Sequence, residues 1–193
     1  GGGAAAMVGL RHRAGYALGH VLNDLCAAVW FSYALVFFSG VAGLGAANAG
    51  ALVLLGQVVD GLATPLVGRA IDVSPPLGPL GRRRPWHLLG CCCVAASFPF
   101  LFGGCRPCLA RLGGEGAHVA YYAAATCVFQ TAWACTQVSH LSILPDLTHS
   151  REERTSLNSL RYSATVLSNV AVYLAAWLLL GRVRGGGGGG GGG

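Results

Sequence analysis

Long apolar stretches dominate the chain, and five of them alternate with short segments that carry most of the arginines. Each stretch is long enough to cross the hydrocarbon core of a membrane, which takes about 20 residues or a few fewer. A soluble helical domain would need polar outer faces on such helices, whereas the polar positions here form only narrow stripes. The pattern predicts an all-α, polytopic membrane bundle with spans at about residues 14–38, 46–68, 86–103, 118–144 and 162–180.

Polar side chains recur along three of these spans at three- and four-residue steps, the spacing that places them on one helix face. They are His20, Asn23 and Asp24 in the first span, Gln57, Asp60 and Thr64 in the second, and Gln130, Gln137 and His140 in the fourth. A charge at mid-membrane costs about 2.5–3.5 kcal/mol, so it normally faces a cavity or a partner. The stripes predict a hydrated central pathway, and hydrogen bonds that only join helices are the alternative.

The composition supports a membrane location, because 53% of residues are hydrophobic and only 10% are charged, against about 25% charged in soluble domains. Arginine supplies all 13 basic residues. Eight of them fall on one predicted side: Arg11, Arg13, Arg69, Arg82, Arg83, Arg84, Arg151 and Arg154. The positive-inside rule therefore predicts a cytosolic N-terminus. These short loops form no continuous basic face with interleaved aromatic residues, which argues against a nucleic-acid partner.

The two ends have the composition of artificial sequence. GGGAAA precedes Met7, and nine glycines from Gly185 to Gly193 close the chain. We divide the chain into a cytosolic, partly artificial segment at 1–13, a membrane domain at 14–181 and a poly-glycine tail at 182–193 that we expect to be disordered. Five spans do not fit a bundle of paired repeats, so we expect a fragment of a longer transporter.

Two loops carry a more specific signal. GRAID at 68–72, followed by GRRRPW at 81–86, resembles the loop after the second helix of the major facilitator superfamily. PDLTHSREERTSLNSLR at 145–161 resembles the matching loop of its glycoside-pentoside-hexuronide:cation symporter branch, and Ser150 and Glu153 have the capping-box spacing of a short cytosolic helix. The resemblance implies the N-terminal half of a twelve-helix facilitator that works by alternating access. It implies gating roles for Gly68, Arg69, Asp72, Gly81, Arg82, Arg84, Asp146, Glu153 and Arg154.

Longer stretches, from GYALGHVLNDLCAAVWFSY to LRYSATVLSNVAVYLAAWLLL, are similar to an organellar member of this superfamily. The resemblance implies a secondary active transporter that imports cysteine into lysosomes and melanosomes, with the plasma membrane as the alternative location. It implies a small-molecule substrate and a lipid bilayer as partners, and neither enzymatic activity, a cofactor nor a metal.

Asp24 and Arg161 match acidic and basic positions of the sugar site in bacterial relatives of this branch. An Asp and an Arg facing one cavity suit a zwitterion, because the Arg binds a carboxylate and the Asp an ammonium group. A purely structural ion pair is the alternative. The predicted substrate site is completed by His20, Asn23 and Gln137.

Asp60 is the predicted coupling residue, together with Thr64. The bacterial relatives carry a second carboxylate at the position of Thr64, and one carboxylate with one hydroxyl makes a poor cage for a hard cation. We therefore expect Asp60 to carry a proton rather than to bind sodium, with His20 and Asp24 as candidate relays.

Three other functions stay open at this point. They are a cation-coupled sugar symporter, a membrane-embedded hydrolase that uses His20, Asp24 and His140, and a non-transporting fragment.

Eight cysteines raise the question of metal or redox chemistry. Cys91, Cys92 and Cys93 are consecutive in a predicted helix, so they point in three directions and cannot converge on one ion. Cys105 and Cys108 form CRPC in a predicted non-cytosolic loop. For this pair a local disulfide, free thiols and thiol exchange with substrate all remain open.

Overall fold

The computed structural model describes residues 9–104, 109 and 113–186. In these residues the secondary structure is entirely helical, which confirms the all-α prediction. The helices are α1 (Leu10–Leu18), α2 (Val21–Val36), α3 (Ala46–Val73), α4 (Arg83–Phe102), α5 (Gly114–Leu147) and α6 (Arg151–Gly186). The cysteine pair of the CRPC motif and the glycines after Gly186 lie outside the described residues.

Four helical stretches of the described chain are long and apolar enough to cross a membrane, namely Leu10–Val41, Ala46–Val73, Arg83–Phe102 and Arg151–Leu179. The chain is therefore a multi-pass membrane protein. The remaining predicted span, α5, has sufficient length at 34 residues but is not among the four. Its interior face carries buried polar side chains, including Gln130, Ser139 and His140, that the other helices cover.

Helix α5 occupies the centre of the bundle and makes its most extensive contacts with α4 and α3. Two glycines, one in α4 and one in α3, allow these helices to lie close to their neighbours. A Cβ atom at Gly90 would lie 2.7 Å from the main-chain nitrogen of Thr136, and one at Gly56 would overlap the ring of Trp30. Phe129 of α5 completes this core, with its ring centroid 5.9 Å from that of Trp30.

The first predicted span is interrupted rather than continuous. It consists of α1, a turn at Gly19 and His20, α2, and a π-helical segment at Phe37–Val41. At the turn, a Cβ atom on Gly19 would lie 3.2 Å from the His140 ring. The small residue thus lets the start of α2 pack against α5, and the turn directs His20 into the bundle, where it is buried.

The last helix begins earlier than its predicted span. Half of the predicted capping box is present, because the Ser150 hydroxyl accepts a hydrogen bond from the Glu153 N–H at 3.4 Å, whereas the Ser150 N–H donates to the Thr148 hydroxyl instead of to Glu153. The predicted separate short helix is wrong, since α6 runs without a break from Arg151 to Gly186. No proline or glycine stands between Arg151 and Leu180 to end it.

Candidate transport site

Asp24 joins α2 to α6 inside the bundle. Its Oδ1 accepts a hydrogen bond from Nδ1 of His20 at 3.0 Å, and its Oδ2 accepts one from the Thr165 hydroxyl at 3.0 Å. Asp24 and His20 are both buried. Asn23 lies 3.4 Å from Nε2 of His20, so the donor at Nδ1 and the acceptor at Nε2 set the tautomer of this histidine. Both oxygens of the carboxylate therefore have partners.

A histidine cluster lies beside this carboxylate. The ring of His140 stacks on Tyr16 with centroids 4.5 Å apart, and it lies 5.1 Å from His20 and 5.2 Å from His87. Nδ1 of His87 approaches the Thr136 carbonyl at 3.4 Å. Nε2 of His140 and the hydroxyl of Tyr16 are buried and have no hydrogen-bond partner within the described residues. The cluster thus combines satisfied and unsatisfied polar groups at one place.

Arg161 lies one helical turn before Thr165 on α6, on the side that faces this cluster. Its guanidinium packs over the ring of Tyr162, 4.7 Å from the centroid, and its Nε has no hydrogen-bond partner in the described structure. Its charge acts on both Tyr16 and His140. In the described residues the Asp24 carboxylate hydrogen-bonds to His20 and Thr165, and it forms no ion pair with Arg161. Asp24 and Arg161 are thus linked through Thr165, whose hydroxyl lies 3.0 Å from the Asp24 carboxylate and 3.2 Å from the Arg161 carbonyl.

The other two predicted substrate residues differ in their surroundings. Asn23 is almost fully buried, and its Oδ1 has no partner among the described residues. Gln137 is half-buried on α5, about two helical turns after the buried Gln130. Gln130 leaves both its side-chain oxygen and nitrogen unpaired in the described structure. Unpaired polar atoms therefore line the interior faces of both α2 and α5.

Asp60 lies on a different helix, α3, four residues after the buried Gly56. It is half-buried in α3, and Thr64 follows it one helical turn later. Gln57, Gly61 and Thr64 are exposed. No contact between described residues links Asp60 to Asp24. The two predicted coupling residues are therefore neighbours on one helix, and no hydrogen bond or ion pair among the described residues joins them to the predicted substrate residues.

The arginine-rich end of the bundle, which carries the starts of α1, α4 and α6, is cross-linked between helices. Arg83 pairs with Asp146, which ties the start of α4 to the end of α5. Arg82 donates to the Asp72 carbonyl at 2.7 Å, which ties α4 to the end of α3. Among the predicted gating residues, Asp146 is thus held by the neighbouring Arg83 rather than by Arg82 or Arg84.

A second cross-link at this end joins α1 to α6. Arg13 lies 3.7 Å from the Glu153 carboxylate and also donates to the Ser156 hydroxyl. Arg154 donates through Nε to the Thr148 carbonyl at 3.0 Å and so fixes the turn between α5 and α6. Two of the predicted gating residues therefore act at the start of α6.

The remaining predicted gating residues have local roles or open surroundings. Gly81 has a φ of +70°, a backbone conformation that glycine adopts without strain. Gly68 is half-buried in α3, with Val138 of α5 nearest to it. Arg69 and Arg84 are exposed.

The family model described as MFS/sugar transport protein matches residues 15–190 of the chain. The chain belongs to this family. This confirms the predicted membership in the major facilitator superfamily and its transporter class.

Individual relatives agree with this family. Major facilitator superfamily domain-containing protein 12 of mouse is 47% identical over 180 residues, covering 93% of this chain and 37% of the mouse protein. Its human counterpart is 48% identical over 169 residues, covering 87% and 35%. An uncharacterized symporter of Synechocystis is 28% identical over 151 residues, covering 78% and 27%. The chain thus spans little more than a third of the length of the mouse and human relatives.

Several residues of this transporter site were absent from the predicted set. Thr165 and His87 contact the predicted residues directly, Tyr16 stacks on His140, and Arg13 forms the cross-link to Glu153. Tyr16 stands one turn before His20, so helical spacing was a usable signal for it. The partnerships of Thr165 and Arg13 depend on how α6 is rotated, for which the sequence carries no signal.

Proposed function

We propose that this chain forms part of a secondary active transporter that imports cysteine into lysosomes and melanosomes by alternating access. The observation that carries the proposal is that the Thr165 hydroxyl contacts both the Asp24 carboxylate of α2 and the Arg161 carbonyl of α6, while Asp24 and Arg161 form no ion pair with each other in the described structure. A carboxylate and a guanidinium so arranged can receive the ammonium and carboxylate groups of an amino acid. His20, Asn23 and Gln137 supply further polar contacts in this proposal.

The unpaired polar atoms support a role in binding. A buried polar group without a partner costs free energy, so such groups usually pair with protein, water or ligand. Asn23 and Arg161 each present one, and Gln130 presents two. In our proposal these atoms contact the substrate or the water that it displaces.

We propose that Asp60 couples transport to a proton, with Thr64 as its hydrogen-bonding neighbour. A carboxylate half-buried in a membrane helix is costly unless it has a function or a partner. Its separation from the substrate residues suits a coupling group, since protonation can then change the packing of α3 without occupying the binding site. At the arginine-rich end, the cross-link between Arg83 and Asp146 and the one between Arg13 and Glu153 would stabilise one closed state.

We propose a cytosolic orientation for this arginine-rich end. The cross-links support the assignment of these arginines to one side, because they join the starts of α1, α4 and α6 directly or through α5. An excess of arginine in short loops places that side in the cytosol. The organellar membrane itself is proposed from the resemblance described in the sequence analysis.

The second candidate is a cation-coupled sugar symporter. It is favoured by the family description and by the Synechocystis symporter. The two candidates differ in substrate charge, because a sugar lacks the ammonium and carboxylate groups that Asp24 and Arg161 suit.

Substrate uptake separates these candidates. This chain would replace the matching segment of the mouse relative, and uptake of labelled cysteine and labelled sugars would be measured in isolated lysosomes. We expect cysteine uptake, and we expect Arg161→Ala to weaken the apparent affinity roughly tenfold. The matched control is Arg151→Ala, which removes an exposed arginine from the start of the same helix. Sugar uptake without cysteine uptake, or unchanged affinity in Arg161→Ala, would contradict the proposal.

A further inference from the structure

A cavity at the arginine-rich end borders the histidine cluster, and its lining residues take no part in the proposed substrate binding or proton coupling. Its volume is about 300 Å³, and it lies between α1, α4 and α5. Its polar lining consists of Arg11, His12, Tyr16, Arg84, His87 and His140. The arginines and His12 are exposed, whereas Tyr16 and His140 are buried. The cavity therefore has a basic, open mouth and a base of buried hydrogen-bonding groups.

The charged residues that line this cavity are all basic. None of the described residues that line the cavity is acidic. The carboxylates nearby in sequence or space already have basic partners, since Asp146 pairs with Arg83, Glu153 with Arg13, and Asp24 with His20. No ion pair in the described part of the chain uses Arg11 or Arg84. Two arginines thus face the cavity mouth without a neutralising group.

The base of the cavity contains an independent sign of a missing ligand. The Tyr16 hydroxyl and Nε2 of His140 are buried without a hydrogen-bond partner in the described structure. Both residues line this cavity, and the side chains are 5% and 2% exposed. Unpaired buried polar groups are costly, so a ligand or ordered water that accepts hydrogen bonds from them would be stabilised.

We infer that this cavity binds a small oxyanion, a carboxylate or a phosphate, between the two arginines and the buried Tyr16 and His140. The guanidinium groups of Arg11 and Arg84 supply charge-assisted hydrogen bonds, for which planar oxyanion faces are good acceptors. The Tyr16 hydroxyl donates from below, and His140 donates from Nε2 in the tautomer that carries its proton there. His87 is held by its contact with the Thr136 carbonyl and forms one wall.

The position of the site gives it a structural effect. Arg11 and Tyr16 belong to α1, Arg84 and His87 to α4, and His140 to α5. An anion bound among them joins three helices at the end where the Arg83 and Arg13 cross-links also lie. Occupancy would therefore stabilise the packing of this end. This binding requires no transport, so its failure is distinguishable from a failure of the proposed cysteine import.

The test measures the thermal unfolding midpoint of the chain in phosphatidylcholine nanodiscs as inorganic phosphate is added, with chloride at matched ionic strength as reference. We expect phosphate to raise the midpoint in a saturable manner. Arg84→Gln should raise the half-saturating concentration roughly tenfold, and Tyr16→Phe, which keeps the stacked ring, roughly threefold. Arg69→Gln is the matched control, because it removes an exposed arginine at the same end outside the cavity.

A second set of nanodiscs containing phosphatidylglycerol identifies the source of the anion. A phosphate response that persists in both membranes supports a free anion, whereas a response that vanishes only with the anionic lipid supports a lipid headgroup phosphate. The inference is overturned if phosphate has no effect beyond chloride in either membrane. It is also overturned if Arg84→Gln and Arg69→Gln respond to phosphate equally.

Discussion

The two membrane carboxylates of this chain, Asp24 and Asp60, occupy opposite kinds of surroundings. Asp24 is buried and has partners on two elements, His20 and Thr165. Asp60 is half-buried, and no hydrogen bond or ion pair in the described structure joins it to another helix. The comparison shows that Asp24 joins two helices within the described bundle, whereas Asp60 lies between the exposed Gln57 and Thr64 and is only half-buried.

The difference also shows where further contacts should form. A carboxylate facing lipid tails would carry the cost of about 2.5–3.5 kcal/mol known for mid-membrane charges. We therefore expect the face of α3 that carries Gln57, Asp60 and Thr64 to meet water or protein in the assembled transporter. The following predictions test this division, from the largest expected effect to the smallest.

Asp60→Asn should abolish coupled uptake while leaving the stability of the bundle within about 0.5 kcal/mol of the wild type, because Asn retains a hydrogen-bond acceptor for Thr64. Uptake as a function of luminal pH, measured in the chimaera with the mouse relative, checks the first part. If Asp60→Asn transports at the wild-type rate with the same pH dependence, the coupling role is wrong.

Asp24→Ala should destabilise the bundle by about 2 kcal/mol, because it leaves both His20 and Thr165 without their partner in the protein interior. Unfolding of the purified chain in mixed detergent micelles measures this. Asp24→Asn should cost less, since the amide can still accept one of the two hydrogen bonds. Equal stability of Asp24→Ala and wild type would remove the distinction between the two carboxylates.

Gly90→Ala should destabilise the bundle by about 1 kcal/mol. Its Cβ atom would lie 2.6 Å from the Thr136 hydroxyl and 2.7 Å from the Thr136 nitrogen, and this overpacking exceeds the gain in helix propensity. Gly61→Ala, on the face that carries Asp60, meets no atom within 4 Å and should be neutral or stabilising. The same unfolding measurement compares the two alanines, and equal effects would contradict the packing difference.

Glu115→Gln should have the smallest effect, confined to a pH range. Glu115 accepts hydrogen bonds at 2.8 Å from the Gly45 N–H and from the Asn48 side chain, and these lower its pKa from the usual value. A lowered pKa in the folded state stabilises the protein above the unfolded-state pKa, and this stabilisation is lost as pH falls through the folded-state pKa. The stability difference from Glu115→Gln should therefore shrink on acidification. Glu152→Gln, an exposed change at the other end, is the control, and a pH-independent difference would exclude this role for Glu115.

The sequence was sufficient to predict the helices, because twenty-residue apolar stretches have few alternative structures. It did not predict the interruption at Gly19, since that turn depends on how closely the His140 ring approaches. It also placed the start of α6 too late, because the polar residues after Arg151 continue a helix beyond its apolar segment.

The sequence indicated which residues belong to the site, but not which residues on other helices they contact. Asp24 and His20 lie four residues apart, so helical spacing alone brings their side chains together. The Thr165 partner of Asp24 and the Arg83 partner of Asp146 are set by the rotation of packed helices, on which a single sequence has little information.

The limited apolarity of α5 has a consequence for how the chain enters the membrane during synthesis. A helix inserts through the translocon according to its own apolar content, and polar residues near its centre oppose that step. Because α5 buries Gln130 and His140 only when α3 and α4 surround it, its integration should depend on those earlier helices remaining nearby. The close approaches at Gly56 and Gly90 would then serve biogenesis as well as the finished bundle, by providing the surface on which a poorly inserting helix is retained.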